Sequence, residues 1–198
     1  TTAGANRVLT VDLHSSQIQG FFSVPVDELT ALTLQSDYFR ERGLEDLVVV
    51  ATDIGISKRA RDLAARLNAP LSIMEKRRLG NNAQTEILNV IGDVKRKAAL
   101  IFDDEILTGG SILDAANTVL ERGAKEAYIC CTHPLFTSPS PENITTSLVK
   151  EIVVTDTVPV TYDKKLDKIK VLPIAPLLGE AIHRIHTGLS IGAMFEQE

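Results

Sequence analysis

The chain has 198 residues, of which 44% are hydrophobic and 24% charged, with a formal net charge of −5 at neutral pH. This length and composition suffice for one substantial core and exclude a disordered chain. The negative charge and scattered basic residues argue against nucleic-acid binding, and no apolar run is long enough for a membrane span. Cys130 and Cys131 are adjacent and would point to opposite faces of a strand, so we expect two core thiols in a soluble, cytoplasmic protein.

Strands and helices alternate along the chain. Apolar runs predict strands over residues 5–13, 47–50, 71–74, 88–91, 99–102, 127–131, 152–154 and 169–172. Helical spacing of apolar residues predicts helices over 28–42, 60–67, 112–120 and 178–185, with glycines following three of them. Residues 75–85 and 137–143 are predicted to be loops. This alternation is typical of βαβ units and indicates an α/β fold with a mainly parallel β-sheet flanked by helices.

The segment from Leu100 to Ser111 contains the strongest combination of chemical groups. Asp103 and Asp104 follow a buried strand predicted to end at Phe102, and the small residues Thr108, Gly109, Gly110 and Ser111 follow at the entry to a helix. Ligands of open α/β sheets bind at the carboxyl ends of strands. Backbone N–H groups at a helix N-terminus form a cradle for a phosphate, and two carboxylates can accept hydrogen bonds from a sugar diol or hold Mg²⁺.

A simpler interpretation of this segment is a solvated acidic turn followed by Ser111 as a helix N-cap. The two acids, the four-residue spacer and the small-residue helix entry together favour a binding site over that interpretation. No Gly-Lys-Ser or Gly-Lys-Thr follows a glycine loop, which excludes a P-loop kinase.

The same segment resembles the motif that binds phosphoribosyl diphosphate (PRPP) in type I phosphoribosyltransferases and PRPP synthetases. Other segments are similar to PRPP synthetases in particular: Val11–Ser15, Gln17–Phe22, Pro25–Asp27, Ile91–Val94, Ala181–His186 and Met194–Phe195. The resemblance runs the whole length of the chain and covers the larger, C-terminal part of the family's usual chain. It implies a phosphoribosyltransferase-like domain over residues 28–173. Residues 1–27 and 174–198 would pack with an N-terminal half-domain that supplies much of the adenine pocket.

The resemblance implies a ribose-phosphate diphosphokinase, which transfers the diphosphoryl group of MgATP to ribose 5-phosphate and gives PRPP and AMP. Asp103 and Asp104 would hold the ribose hydroxyls and Mg²⁺, while Thr108, Gly109, Gly110 and Ser111 would hold the 5-phosphate. His14 and Asp53 would hold the magnesium of MgATP. Lys76 and Arg78, in a basic run that could also be a solvated surface, would be catalytic on a mobile loop. The family generally assembles into dimers and hexamers, so a homo-oligomer is expected.

Four positions depart from the family pattern. Leu107 stands in place of a third acid and Ile56 in place of a second glycine, while Glu105 and Thr52 replace an apolar residue and a proline. Leu107 and Ile56 keep open a non-catalytic, PRPP-synthetase-like regulatory subunit. A phosphoribosyltransferase that uses PRPP as donor is the other alternative, and it would not need His14.

Overall fold

The computed structural model describes residues 1–78, 85–138, 140–160 and 167–194, with residues 76–78, 85–88 and 141 described by their backbone alone. The strands are β1 (Val8–Val11), β2 (Val26–Leu29), β3 (Leu47–Ala51), β4 (Leu71–Arg78), β5 (Thr85–Ile91), β6 (Ala98–Ile106), β7 (Glu126–Pro134), β8 (Glu151–Thr155) and β9 (Ile169–Leu172). The α-helices are α1 (Leu32–Arg42), α2 (Ser57–Arg66), α3 (Gly110–Glu121), α4 (Ser140–Thr146) and α5 (Ala175–Thr187). The chain divides into two compact units, Leu32–Leu172 and Thr1–Ala31 with Pro173–Glu198.

The unit Leu32–Leu172 is built on a seven-stranded sheet of order β5-β4-β3-β6-β7-β8-β9. Its strands pair in parallel, except that β5 is antiparallel to β4 at one edge. Helix α3 packs on β6 and β7, and helix α2 packs on β3 and β4. The predicted mainly parallel sheet flanked by helices is confirmed.

The central strands are buried on both faces, which explains their continuous apolar sequences. Val48 and Val50 of β3 belong to the core cluster that includes α3, whereas Val49 and Ala51 belong to the cluster that includes α1 and α2. Neighbouring residues of a strand point to opposite faces, so one strand supplies both cores. Cys130 and Cys131 divide between the two clusters in the same way, and both are free thiols, as predicted.

The other unit contains a two-stranded parallel sheet and the last helix. Strand β1 pairs with β2 in the register Val8↔Val26 to Val11↔Leu29. Leu29, Ala181 of α5 and Ile191 form its small buried cluster. Helix α5 is followed by the C-cap Gly188, whose φ of 72° lies in the left-handed region that glycine adopts readily. No helix in the described ranges is both long enough and apolar enough to cross a membrane.

The helix predicted from Glu28 to Arg42 begins later, because residues 26–29 form β2 and α1 begins at Leu32. Arg7 and Asp27 form an ion pair beside the β1–β2 ladder, and Leu29 is fully buried. Pairing with a strand eighteen residues earlier in the chain (Val8↔Val26) therefore overrides the local helical pattern.

Both predicted loops contain regular structure. Residues 75–78 continue β4 and pair with Thr85–Asn89 of β5 across a bulge, so the basic run lies on a strand and the prediction of a loop there is wrong. The prediction that residues 80–82 belong to a mobile loop falls outside the described residues. Within the other loop, α4 begins at Ser140, and Ile144 anchors it because that side chain is only 1% exposed.

Candidate active site

The acidic pair lies inside a strand rather than after one. β6 continues past Phe102 to Ile106, because Asp103 pairs with Cys131 and Ile106 with Pro134 in the parallel register with β7. The predicted strand end at Phe102 is therefore wrong by four residues. Both acids are still near the carboxyl end of a central strand, which is where parallel α/β sheets bind ligands.

Asp103 is held by two hydrogen bonds. Thr52, the residue after β3, donates its hydroxyl to Asp103 Oδ2 over 2.7 Å, and the Asp104 N–H donates to Asp103 Oδ1 over 2.9 Å. Burial raises the pKa of Asp103 to about 7 in spite of the hydrogen bond from Thr52, and the charge of Asp104 adds to the increase. The ionised form of this carboxylate is therefore stabilised by the polar groups around it, against the effect of burial.

Asp104 is the more deeply buried acid, with 5% of its surface exposed. Arg59, in α2, places its guanidinium Nη1 3.9 Å from Asp104 Oδ2. The thiol of Cys131 donates to the Asp104 carbonyl over 3.3 Å. Burial raises the pKa of that thiol well above its usual value, so Cys131 stays protonated and acts as a donor beneath the pair.

The predicted phosphate cradle is the junction between β6 and α3. Gly109 is the N-cap of α3 and has a φ of 78°, a left-handed conformation that favours glycine. The alternative with Ser111 as N-cap is wrong, because the helix begins at Gly110. A glycine cap has no side chain to occupy the helix N-terminus, so the first turn presents its N–H groups through the backbone alone.

A second segment supports the cradle from behind. The N–H groups of Phe136 and Thr137 donate to the carbonyls of Ile106 and Leu107, each over 2.9 Å. Ser140 lies behind Gly109, with its Oγ 3.1 Å from where a Cβ of residue 109 would be. The cradle is thus tied to the β7–α4 connection as well as to its own helix.

The two principal departures from the family pattern have different surroundings. Ile56 is 8% exposed and packs in the core cluster with α1 and α2. Leu107 is 46% exposed beside the cradle and brings no carboxylate there. Glu105 is partly buried and pairs with His133 in the β6–β7 register, and His133 itself contacts the Thr157 hydroxyl at 3.0 Å.

The two predicted metal ligands lie in different units. Asp53 is exposed and accepts a hydrogen bond from the Ile56 N–H over 3.1 Å, in the turn that starts α2. His14 is exposed in a segment organised by Glu28, whose carboxylate accepts from the Leu13 N–H over 2.9 Å and the Gln19 amide over 2.6 Å. Their joint role in holding Mg²⁺ stays a prediction.

The donor chemistry near the cradle suits Mg²⁺. Among the described residues, no group of three or more histidines, cysteines and acids could form a metal site by itself. Magnesium in phosphate-transfer sites is usually held by one or two carboxylates together with substrate phosphates and water, rather than by a cage of protein ligands. The adjacent carboxylates of Asp103 and Asp104 offer oxygen donors of this kind.

Lys76 and Arg78 occupy the end of β4, opposite Ile87 and Thr85 of β5. Their side chains fall outside what the structure describes, so their predicted catalytic role stays a prediction.

Two residues in contact with the acidic pair were not predicted to belong to the site. In the sequence Thr52 stands out only because it replaces a proline of the family pattern, and no motif includes Arg59. Both follow β3, the strand that pairs with β6, and a signal existed: residues after neighbouring parallel strands meet at one edge of a sheet. Which of those residues face the pair depends on the register, which the sequence does not state.

The comparisons with known proteins agree with this architecture. A family model for the phosphoribosyl synthetase-associated domain matches residues 79–196. The chain is 48% identical over 194 residues to the ribose-phosphate pyrophosphokinase of Corynebacterium ammoniagenes, covering 98% of this chain and 61% of that protein. It is likewise 48% identical over 195 residues to the ribose-phosphate pyrophosphokinase of Bacillus caldolyticus, covering 98% of this chain and 62% of that one.

Among solved structures, the phosphoribosylpyrophosphate synthetase of Mycobacterium smegmatis superposes with a TM-score of 0.84 at 38% identity, over 94% of this chain and 61% of that chain. The chain thus spans about three fifths of the length of the relatives it matches. The match of a family model to more than half of the sequence, within a fold that these relatives share, shows that the chain belongs to the phosphoribosyl synthetase-associated domain family.

Proposed function

We propose that this protein is a ribose-phosphate diphosphokinase: the C1 hydroxyl of ribose 5-phosphate attacks the β-phosphorus of MgATP, giving PRPP and AMP. The observation that carries the proposal is one βα unit in which the acidic pair Asp103–Asp104 precedes a glycine-capped helix N-terminus by a few residues. A sugar phosphate has hydroxyls at one end and a dianion at the other, and this unit offers acceptors and donors in the same order. The names of the similar proteins support the same reaction.

In this proposal the backbone N–H groups of the cradle, from Thr108 to Ser111, hold the 5-phosphate. The carboxylates of Asp103 and Asp104 accept hydrogen bonds from the ribose hydroxyls. Arg59 lies beside Asp104 and balances part of its charge. Fixing both ends of the sugar orients the C1 hydroxyl for attack, which is how positioning lowers the barrier for a transfer between two substrates.

Magnesium would be held by the Asp103–Asp104 carboxylates. His14 and Asp53 each stay a predicted ligand for the magnesium of MgATP. When bound, the ion neutralises negative charge on the phosphates. Lys76 and Arg78 would donate to the transferred group as its oxygens gain charge. A homo-oligomer stays a prediction, which light scattering on the purified protein checks.

The test is AMP release from purified protein with ribose 5-phosphate and MgATP. We expect release that depends on both substrates and is lost in the double variant Asp103→Asn, Asp104→Asn. The matched control is Asp62→Asn, which neutralises an exposed acid of α2. No release by the unmodified protein, or full release by the double variant, would contradict the proposal.

One observation favours a second candidate, a PRPP-synthetase-like subunit that binds without catalysing. Leu107 exposes an apolar side chain beside the cradle where a third carboxylate was expected. Two results together would favour the regulatory subunit. Calorimetry would show that ribose 5-phosphate binds although no AMP is released, and Leu107→Asp would give AMP release. A phosphoribosyltransferase would instead release diphosphate from PRPP only when a base is added.

A further inference from the structure

Thr52 follows strand β3 and lies beside Asp103 of the neighbouring strand β6. β3 and β6 pair in parallel up to Ala51↔Phe102, so the residues that follow, Thr52 and Asp103, are side by side. Thr52 is fully buried, and its hydroxyl donates to Asp103 Oδ2 over 2.7 Å. A donor–acceptor distance of this length is typical of a hydrogen bond from a hydroxyl to a carboxylate.

The hydrogen bond from Thr52 completes a two-point attachment. The Asp104 N–H holds Oδ1 over 2.9 Å, and a carboxylate bound through one oxygen can still turn about its Cβ–Cγ bond, for which the energy wells are broad. Binding of Oδ2 by Thr52 removes that freedom. Each oxygen keeps a further lone pair for a ligand.

Threonine is well suited to this position. Its β-branched side chain has few rotamers, so the hydroxyl is presented in a defined direction at little further entropic cost. The Thr52 hydroxyl and the Asp104 N–H that bind Asp103 are uncharged donors, whereas the guanidinium of Arg59 lies next to Asp104. Orientation of Asp103 therefore depends on a hydroxyl that a proline or an aliphatic residue at position 52 would not supply.

We propose that Thr52 is a positioning residue for sugar recognition, which holds the Asp103 carboxylate in the orientation that accepts hydrogen bonds from the ribose hydroxyls. The proposal rests on the proposed function, because it assigns the sugar to Asp103. It adds to the site a residue that follows a different strand, β3. Its role is confined to the sugar end, since Thr52 contacts the acidic pair and the phosphate cradle is formed by other residues.

The experiment measures ribose 5-phosphate affinity by calorimetry in the full chain for the unmodified protein, Thr52→Val and Thr52→Ser. Valine keeps the shape and removes the hydroxyl, so affinity should fall by roughly tenfold or more, as expected for the loss of a hydrogen bond to a charged group. Serine restores a hydroxyl and should restore most of the affinity. Inorganic phosphate, which lacks hydroxyls of a sugar, should bind all three forms within about twofold.

Two controls separate positioning from a general structural effect. Thr155→Val removes another fully buried hydroxyl, which donates to the Thr132 carbonyl over 2.7 Å at the end of β8, and it should leave ribose 5-phosphate affinity unchanged. In the background Asp103→Asn, Thr52→Val should cost much less than it does alone, because both changes interrupt one interaction.

Equal ribose 5-phosphate affinity of Thr52→Val and the unmodified protein would overturn the positioning role and leave the proposed function intact. Equal losses in Thr52→Val and Thr155→Val, or additive losses with Asp103→Asn, would also overturn it. If the unmodified protein bound phosphate but not ribose 5-phosphate, the proposed function and the role of Thr52 would fall together.

Discussion

At the scale of single residues, the site combines groups that each carry a conformational or electrostatic cost. Asp103 is a partly buried carboxylate beside a second carboxylate, and both burial and the like charge favour its protonated form. Gly109 has a backbone conformation that other residues adopt only with strain. Strained or costly groups persist where the surrounding structure determines them, which is frequent at binding sites.

The buried carboxylate leads to a prediction about stability and pH. The pKa of Asp103 is raised from 3.8 to about 7, so between these values the folded protein holds the proton more tightly than the unfolded chain does. The contribution of Asp103 to stability is therefore complete below about pH 4 and is lost as the pH rises through 7. The side chain of Asp103→Asn cannot titrate. Between pH 4 and pH 7 its free energy of unfolding, measured by urea denaturation, should therefore fall less than that of the unmodified protein.

The control for this measurement is Asp62→Asn, which removes an exposed acid and should keep the pH dependence of the unmodified protein. Parallel stability curves for Asp103→Asn and the unmodified protein from pH 4 to pH 7 would contradict the raised pKa.

Gly109→Ala should destabilise the protein. Alanine at a φ of 78° is strained, and its Cβ would meet Ser140 Oγ at 3.1 Å. The left-handed conformation alone costs roughly 1–2 kcal/mol for a residue with a Cβ. Urea denaturation should show a loss of this size, and calorimetry should show weaker phosphate binding because the cradle is displaced.

Gly110→Ala is the matched control. The φ of Gly110 is not positive, and a Cβ there would meet nothing closer than the Thr108 hydroxyl at 3.8 Å. Alanine at such a helical position is neutral or slightly stabilising. Equal free energies of unfolding for the two variants would mean that the left-handed conformation of Gly109 imposes no strain on alanine.

At the scale of elements, strand pairing places the basic run, residues 76–78, on a strand instead of a loop. β4 and β5 form an antiparallel ladder at the edge of the sheet, with a bulge between Glu75 and Lys76. Bulges redirect a strand and are frequent next to active sites. Lys76 and Arg78 therefore come after the bulge, on a paired strand.

Lys76→Ala and Arg78→Ala should each lower turnover in AMP release by far more than they raise the KM for ribose 5-phosphate. The physical reason is that their charge is needed mainly as the transferred phosphate oxygens gain charge in the transition state. Arg77→Ala removes an equal charge from the same strand and should retain turnover. Near-normal turnover in both variants would show that the run is a solvated surface.

At the scale of the whole molecule, the two units differ in how their strands are supported. β6 pairs with β3 on one side and β7 on the other, and its first five residues are all buried. β1 and β2 pair only with each other among the described strands, and every residue of β1 is partly exposed. A two-stranded sheet needs other packing to be stable in water.

Hydrogen exchange should reflect this difference. Amides of β6 in the range Ala99 to Phe102 are expected to exchange slowest, because they open only with the whole sheet, and those of Val8 to Val11 should exchange earlier. Mass spectrometry of peptides from the two regions measures both rates. Protection of β1 for as long as β6 would show that the units unfold together.

The sequence alone was enough to predict the fold class and the location of the phosphate cradle. The alternating apolar runs and helical stripes predicted the α/β class, because burial on both faces of a sheet leaves a local pattern. The cradle was recognisable for the same reason: Asp103 to Ser111 is one contiguous segment at a strand–helix junction.

Tertiary structure decided what depends on register. Asp103 to Ile106 continue β6 because β7 supplies partners, and Val26 to Leu29 form a strand because β1 does. The hydrogen bond from Thr52 to Asp103 joins residues 51 apart in the chain. Local sequence contains no record of which residues parallel strands bring side by side, since a shift of one position would turn Thr52 away from the carboxylate it holds.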